Sequence, residues 1–379
     1  MSLYDPAEGR VPSGLSKILH FHWAIAVLLV AIAGVGFLML YSVAGGSLQP
    51  WSQRQMIRFG IGFAAMLVIA MINIRFWRRL SVLAYLGALS LLVAVELMGS
   101  VGMGAQRWID LGFFQLQPSE LMKIALVMIL ARYYDWLDPE LVSRPIWVIA
   151  PVILTLVPVV LVLVQPDLGT ALLLLAGAAM VMFLAGVSLW YFAAAALAGF
   201  AVIFTVLLSH GTSWQLLRDY QFKRIETFLD PSSDPLGAGY HITQSTIAMG
   251  SGGLTGRGFM QGTQSRLNFL PEKHTDFIFT TLSEEFGFVG SLSLLGLYVL
   301  ILVFCIASAI SNRNRYGALL TGGIASTFFL YFAINMAMVM GLAPVVGVPL
   351  PLVSYGGSAM LVLMGAFGLV QSAHVHKPR

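Results

Sequence analysis

Apolar stretches of about the length needed to cross a bilayer recur along almost the whole chain. The first, WAIAVLLVAIAGVGFLMLYSV over residues 23–43, contains no Asp, Glu, Lys, Arg or His. A water-soluble helix of that composition has no polar face to turn to solvent, whereas a membrane span needs about 20 such residues. Ten segments meet this description, near 21–43, 55–74, 80–99, 118–134, 146–164, 168–186, 188–208, 276–309, 317–341 and 351–373. Only 10% of the 379 residues are charged, against roughly 25% in soluble domains, which excludes a soluble globular enzyme. The expected fold is an all-α polytopic membrane protein of about ten transmembrane helices, forming one domain over 1–379 without a tandem or inverted repeat. LHFHWAIAVLLVAIAGVGFLMLYS is long enough to span and reads as a first transmembrane helix rather than a cleaved signal. Cys305 is the single cysteine and lies inside an apolar run, so it can form no intrachain disulfide and is read as an inert buried thiol.

The net charge of +4 reads as topology and not as nucleic-acid binding, because the cations fall in short clusters between spans. An even number of spans puts both termini on one side. Arg10, Lys17, Arg75, Arg78, Arg79, Arg132, Arg144, Arg313, Arg315, Lys377 and Arg379 fall there. The opposite short loops offer mainly Arg54, Arg58 and Arg107. By the positive-inside rule the termini are therefore expected to be cytoplasmic. That leaves one long extracytoplasmic loop, 209–275, between the seventh and eighth spans. Its apolar and aromatic content is too high for a disordered linker, and its glycines imply tight turns, so an ordered cap lying against the membrane is expected.

Ionisable residues within or beside spans are functional hypotheses by default, since polar groups facing lipid are costly. Four clusters qualify. In QRWIDLGFFQLQPSELMKI, Pro118 suits the first position of a helix and Glu120 its positive end. Glu120 and Lys123, three apart, share a helix face; the pair reads equally as a brace between helices or as part of a site. Arg107 beside Trp108 is either a phosphate ligand or an interfacial anchor. Asp167 of QPDLGT stands at a helix start, where capping is the plain explanation and an acid lining a cavity the sharper one. The long loop supplies RDYQFKRIETF, residues 218–228, an interfacial amphipathic stretch in which Arg218 is a candidate for an anionic headgroup. Finally, PEKHTDFIF packs Glu272, Lys273, His274 and Asp276 into a short run at the mouth of a span. Capping accounts for part of that pattern but not for Glu272, Lys273 and His274 beside it; a carboxylate held there in a partly desolvated site would suit a general base.

GAQRWIDLG with QPSELMKI, QPDLGTA, FLDPSSDPLGAGYHITQSTIAMGSGGLTGRG, FLPEKHTDFIFTTLSEEFGFVG and PLPLVSYGGSAM occur in this order. Together they resemble the SEDS family (shape, elongation, division and sporulation), over nearly the whole chain after the first span. GRGFMQGTQSRLNFLPEKHTDFIF and VPLPLVSYGGSAM are similar to its rod-elongation branch in particular. The resemblance implies a peptidoglycan glycosyltransferase that polymerises lipid II into β-1,4 glycan strands during elongation, in the bacterial cytoplasmic (inner) membrane, with an extracytoplasmic active site. It implies that Asp276 is essential for polymerisation, and that Arg107, Trp108, Glu120, Lys123 and Asp167 line or support the central cavity. It also implies a partner, a class B penicillin-binding protein acting as transpeptidase, beside the lipid substrate and the departing polyprenyl pyrophosphate.

An α-linked donor giving a β product requires a single inverting displacement, with a carboxylate as base; Asp276 is the candidate. Pyrophosphate requires cations, for which Arg107, Lys123, Arg218 and Lys273 are at hand, with His274 beside them. A divalent ion, Mg or Mn, is compatible with that chemistry, although no dedicated metal motif is present. The rival reading is a lipid II flippase or transporter, sustained by Glu96, Glu284, Glu285 and Asn335. A scaffold of a cell-wall complex is the third.

Overall fold

The computed structural model of the protein describes residues 16–377 apart from 99, 103–104, 111, 113–114, 210, 213–214, 216–221, 223–225, 228–229, 231–233, 235–236, 268 and 270–271. Among the described residues, eleven helices of fifteen residues or more are numbered in chain order. They are α1 (Trp23–Val43), α2 (Ser52–Met71), α3 (Ile74–Met98), α4 (Pro118–Trp136), α5 (Pro145–Val164), α6 (Leu168–Ala185), α7 (Leu189–Ser209), α8 (Ala238–Gly252), α9 (Ile278–Ile310), α10 (Arg315–Val339) and α11 (Gly357–Val375). The chain is a polytopic helical membrane protein, as expected. Nine helices among the described residues are long and apolar enough to cross a bilayer, namely all but α4 and α8. The expected span at 118–134 is α4, whose 19 residues have the length of a span but carry Glu120, Lys123, Arg132 and Asp135. Most of α4 is buried against α3, α6 and α10, so protein rather than lipid surrounds Glu120 and Lys123.

Helix limits follow local chemistry. Pro118 and Pro145 open α4 and α5, where the missing N–H is an orphan donor anyway. The α6 start is capped by Asp167, and Gly186, left-handed at φ 97°, ends it. The last span begins later than the expected residue 351. Pro344, Pro349 and Pro351 lack the N–H that a helix needs, and residues 344–356 run as an irregular segment. Such backbone is tolerated at membrane depth only inside protein, and Val348, Leu350, Leu352 and Val353 are indeed buried.

Helix α10 is the hub: it packs on α4, α6, α8, α9 and α11 and is two-thirds buried. At the other extreme, only 6% of α7 is buried, so it presents nearly its whole surface to lipid. Between α3 and α4 a small antiparallel meander, β1 (Ser100–Gly102), β2 (Ala105–Asp110) and β3 (Gln115–Leu116), pairs Ile109 with Leu116. Nothing in the sequence distinguishes this stretch from a loop.

The long segment before α9 is ordered where it is described, and it contains α8, which packs on α9 and α10. Ser245 of α8 is fully buried; its hydroxyl hydrogen-bonds Thr280 Oγ1 and the Val339 carbonyl, each at 2.8 Å. Helix α9 is broken at Gly287 (φ 65°, ψ −159°), a conformation closed to side-chain-bearing residues. Its first half, from Ile278 to Glu285, is buried. Residues 253–264 dock on that break: the Arg257 and Gly258 N–H groups donate to the Glu284 and Glu285 carbonyls. Phe288 and Val289 donate back to Gly253 and Leu254. A Cβ at Gly256 would fall 2.1 Å from the Glu285 carbonyl oxygen, so the backbones touch there. Glu284 Oε1 accepts from Thr263 N–H, Thr263 Oγ1 and Gln264 N–H at 2.7–3.1 Å, and Glu285 accepts from Ser42.

At the end of the bundle remote from Asp276 the two ends of the described chain meet. Lys17 donates to the Met71 carbonyl (2.8 Å), and Gln371 exchanges hydrogen bonds with the His22 backbone.

Candidate active site

The charged turn found in the sequence lies at the mouth of α9, and two distant segments pin it. Asn335 of α10 donates through Nδ2 to the Asp276 carbonyl (2.9 Å) and to the Val348 carbonyl (2.7 Å). Ser354 Oγ accepts from Leu350 N–H (2.8 Å) and donates to the Thr275 carbonyl (2.6 Å). Tyr355 N–H donates to the His274 carbonyl at 2.9 Å, and Gln55 of α2 holds the Ser354 carbonyl at 2.9 Å. Every backbone group so tied lies within two residues of Asp276 or in the segment packed on it. The turn is therefore tied at three successive carbonyls, those of His274, Thr275 and Asp276, although it is not a helix.

The Asp276 carboxylate itself accepts no hydrogen bond and forms no ion pair among the described residues. Gly347, left-handed at φ 70°, brings backbone beside it, where a Cβ would lie 3.6 Å from Oδ2. Burial pushes its pKa up to about 6, and the negative charge of Glu272 adds to the rise. Glu272 is itself engaged, accepting from Thr275 Oγ1 at 2.7 Å. Burial also lowers the pKa of Lys273, and it lowers that of His274 against an opposing pull from Glu272. A carboxylate that titrates near neutrality and has no partner is equipped to take a proton.

Beside it runs an aromatic and cationic rim. Trp51 stacks on His274 with ring centroids 4.6 Å apart, His274 leans on Tyr355 (6.2 Å), and the Arg58 guanidinium lies 4.9 Å from the Tyr355 ring. Arg58 Nη1 is buried and finds no hydrogen-bond partner among the described residues.

Deeper in the bundle, Lys123 Nζ meets Glu120 Oε1 at 2.7 Å, with side chains only 3% and 7% exposed. Tyr331 OH donates to Glu120 Oε2 at 2.6 Å, and its ring lies 4.2 Å from the ammonium. A narrow cavity of about 30 Å³ is lined by Gln55, Glu120, Lys123, Tyr331, Ser354 and Gly356 among others. Ser354 thus links this buried pair to the Asp276 turn.

Asp167 caps α6, accepting from Thr170 N–H (3.1 Å) and Thr170 Oγ1 (2.9 Å), with Gln117 Nε2 at 3.4 Å. Arg107 donates through Nε to the Gln165 carbonyl (3.0 Å) and through Nη2 to that of Pro166, so it braces β2 against the α6 start. Trp108 is half-buried beside it. The structure thus groups Lys273, His274 and Asp276 in one turn, Glu120 and Lys123 in one buried pair, and Arg107 with Asp167 at one helix start. Arg218, with most of the 218–228 stretch, lies outside the described residues. Replacing Asp167 with Ala should cost about 1 kcal/mol through the lost cap, read as a lower unfolding midpoint in detergent. A large loss of activity at unchanged stability would show that Asp167 does more than cap.

Sequence reasoning misses Trp51, Gln55, Arg58, Ser354 and Tyr355, and it assigns Asn335 to transport. For Arg58 a signal exists, since it is a cation inside an apolar helix on the Asp276 side. Among the described residues no three His, Cys, Asp or Glu side chains come together as a metal site.

The model of the FtsW/RodA/SpoVE cell cycle proteins matches residues 20–379. The peptidoglycan glycosyltransferase MrdB of Escherichia coli K12 is 42% identical over 361 residues, which cover 95% of both chains. The peptidoglycan glycosyltransferase RodA of Treponema pallidum is 31% identical, covering 94% of this chain and 98% of its own. A chain from a peptidoglycan synthase complex, solved to describe how polymerization and crosslinking are coordinated, superposes with a TM-score of 0.79. It is 32% identical and covers 93% of this chain and 97% of its own. Thermus thermophilus RodA superposes with a TM-score of 0.71 at 29% identity, over 95% and 98%. Motifs, fold and relatives agree, and the chain belongs to the FtsW/RodA/SpoVE family of cell cycle proteins.

Proposed function

We propose that this chain is the peptidoglycan glycosyltransferase of an elongation machinery, polymerising lipid II into β-1,4 glycan strands by a single inverting displacement. The observation that carries the mechanism is the unpartnered Asp276 carboxylate, titrating near 6 on a turn locked by Asn335 and Ser354. In this reading Asp276 removes the proton from the acceptor sugar's 4-hydroxyl as that oxygen attacks the donor's anomeric carbon, and polyprenyl pyrophosphate departs. Lys273, Lys123 and Arg107 are the cations from which the leaving group's charge is met. A divalent ion, Mg or Mn, would supply further compensation for the charge of the departing pyrophosphate. The aromatic rim of Trp51, His274 and Tyr355 suits a sugar face.

The same reading puts the protein in the bacterial inner membrane, with the Asp276 end outward and residues 16 and 377 towards the cytoplasm. Its partner is a class B penicillin-binding protein. The residues that sustained a transport reading have other employment. Glu284 and Glu285 hold the docked 253–264 segment and Ser42, Asn335 holds the Asp276 turn, and Glu96 is exposed.

The test is conversion of lipid II to glycan, followed on a gel, by wild type and Asp276→Ala with and without the cognate transpeptidase. Glycan from wild type and none from the folded variant supports both polymerase and base. A variant as active as wild type removes Asp276 from the chemistry. Failure of both with the partner present overturns the polymerase reading.

A further inference from the structure

One face of α2 borders the Asp276 turn. Trp51 at its N-cap, Gln55 and Arg58 follow at steps of four and three, so they share that face. Trp51 stacks on His274 and Gln55 binds the Ser354 carbonyl, and both steady the turn. Arg58 does neither. Its guanidinium lies over the Tyr355 ring and against Gly357, the first residue of α11, where a Cβ would stand 3.2 Å from Cζ. Cation–π contact with Tyr355 accounts for the position of Cζ but satisfies no N–H.

A helix start is an unfavourable place for a cation. The N–H groups of Gly356, Gly357, Ser358 and Ala359 gain no partner from α11, whose first internal bond runs from Met360 N–H to the Gly356 carbonyl. The N-cap residue is Gly356, which has no side chain to satisfy them. They make this end positive, and Arg58 adds a full charge of the same sign. Ser358 is only 1% exposed, yet its hydroxyl finds no hydrogen-bond partner among the described residues, and neither does Arg58 Nη1. A side chain in the first turn of a helix leans towards the helix start, so Ser358 Oγ sits among those N–H groups. Donors of three kinds, a guanidinium, a hydroxyl and a helix start, thus converge on one place. Each is suited to phosphate oxygens. Gly356 and Gly357 are half-buried and carry no side chain, which leaves that place open to a ligand.

The surroundings say which phosphate. Arg58, Ile61, Ala65 and Val68 follow at steps of three and four, and the last three are exposed, so a lipid tail has an apolar row to follow along α2. On the other side the rim of Trp51, His274 and Tyr355 leads to the Asp276 turn, through the bond from Tyr355 N–H to the His274 carbonyl. A phospholipid would use the row and the donors and leave the rim empty. Soluble pyrophosphate would use the donors alone. A prenyl chain, a pyrophosphate and a sugar occupy all three places in the order in which they are bonded. We propose that Arg58 and the start of α11 bind the pyrophosphate of a polyprenyl-linked sugar. This assignment rests on the polymerase reading and adds a further cation to it.

The test uses the full chain in neutral detergent. Undecaprenyl pyrophosphate, phosphatidylglycerol and inorganic pyrophosphate are the probes, and retention is read by native mass spectrometry. Lipid II turnover on the same samples, with the cognate transpeptidase, gives KM and kcat. Wild type should retain undecaprenyl pyrophosphate better than phosphatidylglycerol by about tenfold or more, the worth of one further charged hydrogen bond. Arg58→Gln should weaken that retention about 10–100-fold and raise KM for lipid II more than it lowers kcat. Arg58→Lys keeps the charge without the fork and should fall between. Ser358→Ala removes one neutral donor and should weaken retention roughly 2–10-fold; it carries the test should Arg58→Gln fail to fold. A purely structural arginine would lower the unfolding midpoint and leave the folded protein's affinity unchanged. Wild-type retention by folded Arg58→Gln or by Ser358→Ala overturns the proposal. Equal or better retention of phosphatidylglycerol overturns it in favour of a bulk lipid, and displacement by inorganic pyrophosphate at equal concentration in favour of a soluble anion. Retention that depends on Arg58 in a protein that makes no glycan with its partner overturns the polymerase reading and leaves the pyrophosphate site standing.

Discussion

Glycan synthesis by the wild-type protein should fall to half its plateau as the pH drops through about 6, and Asp276→Asn should abolish that transition. The transition belongs two units above an ordinary aspartate because burial disfavours the charged form and Glu272 repels it further. Only the carboxylate accepts a proton, so rate follows the deprotonated fraction and is lost on the acid side. Positioned base catalysis contributes roughly 10²–10⁴-fold, and the Asn variant should retain the remainder with a flat profile. Glu272→Gln removes the second cause and should move the midpoint down. Stability carries the opposite sign. In the unfolded chain this acid titrates near 3.8. The folded state therefore binds its proton more tightly, and ionisation destabilises the fold progressively from pH 4 to 6 and fully above. Asp276→Asn should accordingly unfold at a higher temperature than wild type at pH 7.5, with the advantage gone below pH 4. A purely structural aspartate would give the reverse, a less stable Asn variant with its activity kept. Rates measured in single turnover against pH, with unfolding midpoints on the same samples, separate the two.

What was legible in the sequence was whatever depends on neighbours along the chain. Apolar runs gave the spans, Pro118 and Asp167 gave helix starts, and the charge in PEKHTD gave the turn that bears Asp276. Helix α8 was not legible, because its burial rests on polar contacts such as Ser245 with Thr280, and AGYHITQSTIAMGSG is flanked and punctuated by glycine. The residues that fix the site were missed for a related reason. Gln55 reaches Ser354 across 299 positions and Asn335 reaches the Asp276 carbonyl across 59; no local pattern announces such pairs. Glu284 and Glu285 show the converse error. Their place in an apolar run suggested a transport path, whereas the chain folds back to spend Glu284 on three donors of its own. Buried acids report that something must be satisfied, and only the fold says what.

Lys123→Met should destabilise the protein far more than loss of the Asp167 cap, and its rescue by Glu120→Gln should identify what the pair is for. Wild type buries an ammonium and a carboxylate 2.7 Å apart, with Tyr331 OH satisfying the second carboxylate oxygen. Removing one member of such a pair leaves an uncompensated charge in low dielectric and costs about 3–5 kcal/mol. Glu120→Gln on its own strands the ammonium in the same way, although the Tyr331 ring, 4.2 Å away, softens that loss. The double variant leaves no charge and keeps an acceptor for Tyr331, so it should recover most of the stability, with a coupling of at least about 1 kcal/mol between the two sites. Unfolding midpoints in detergent measure that coupling; additive losses would mean the two side chains do not act as a pair. Glycan synthesis by the double variant then separates brace from ligand. If the pair only braces α4 against α10, activity returns with stability. If Lys123 also meets the pyrophosphate charge, the refolded double variant stays slow, because methionine restores packing and supplies no cation.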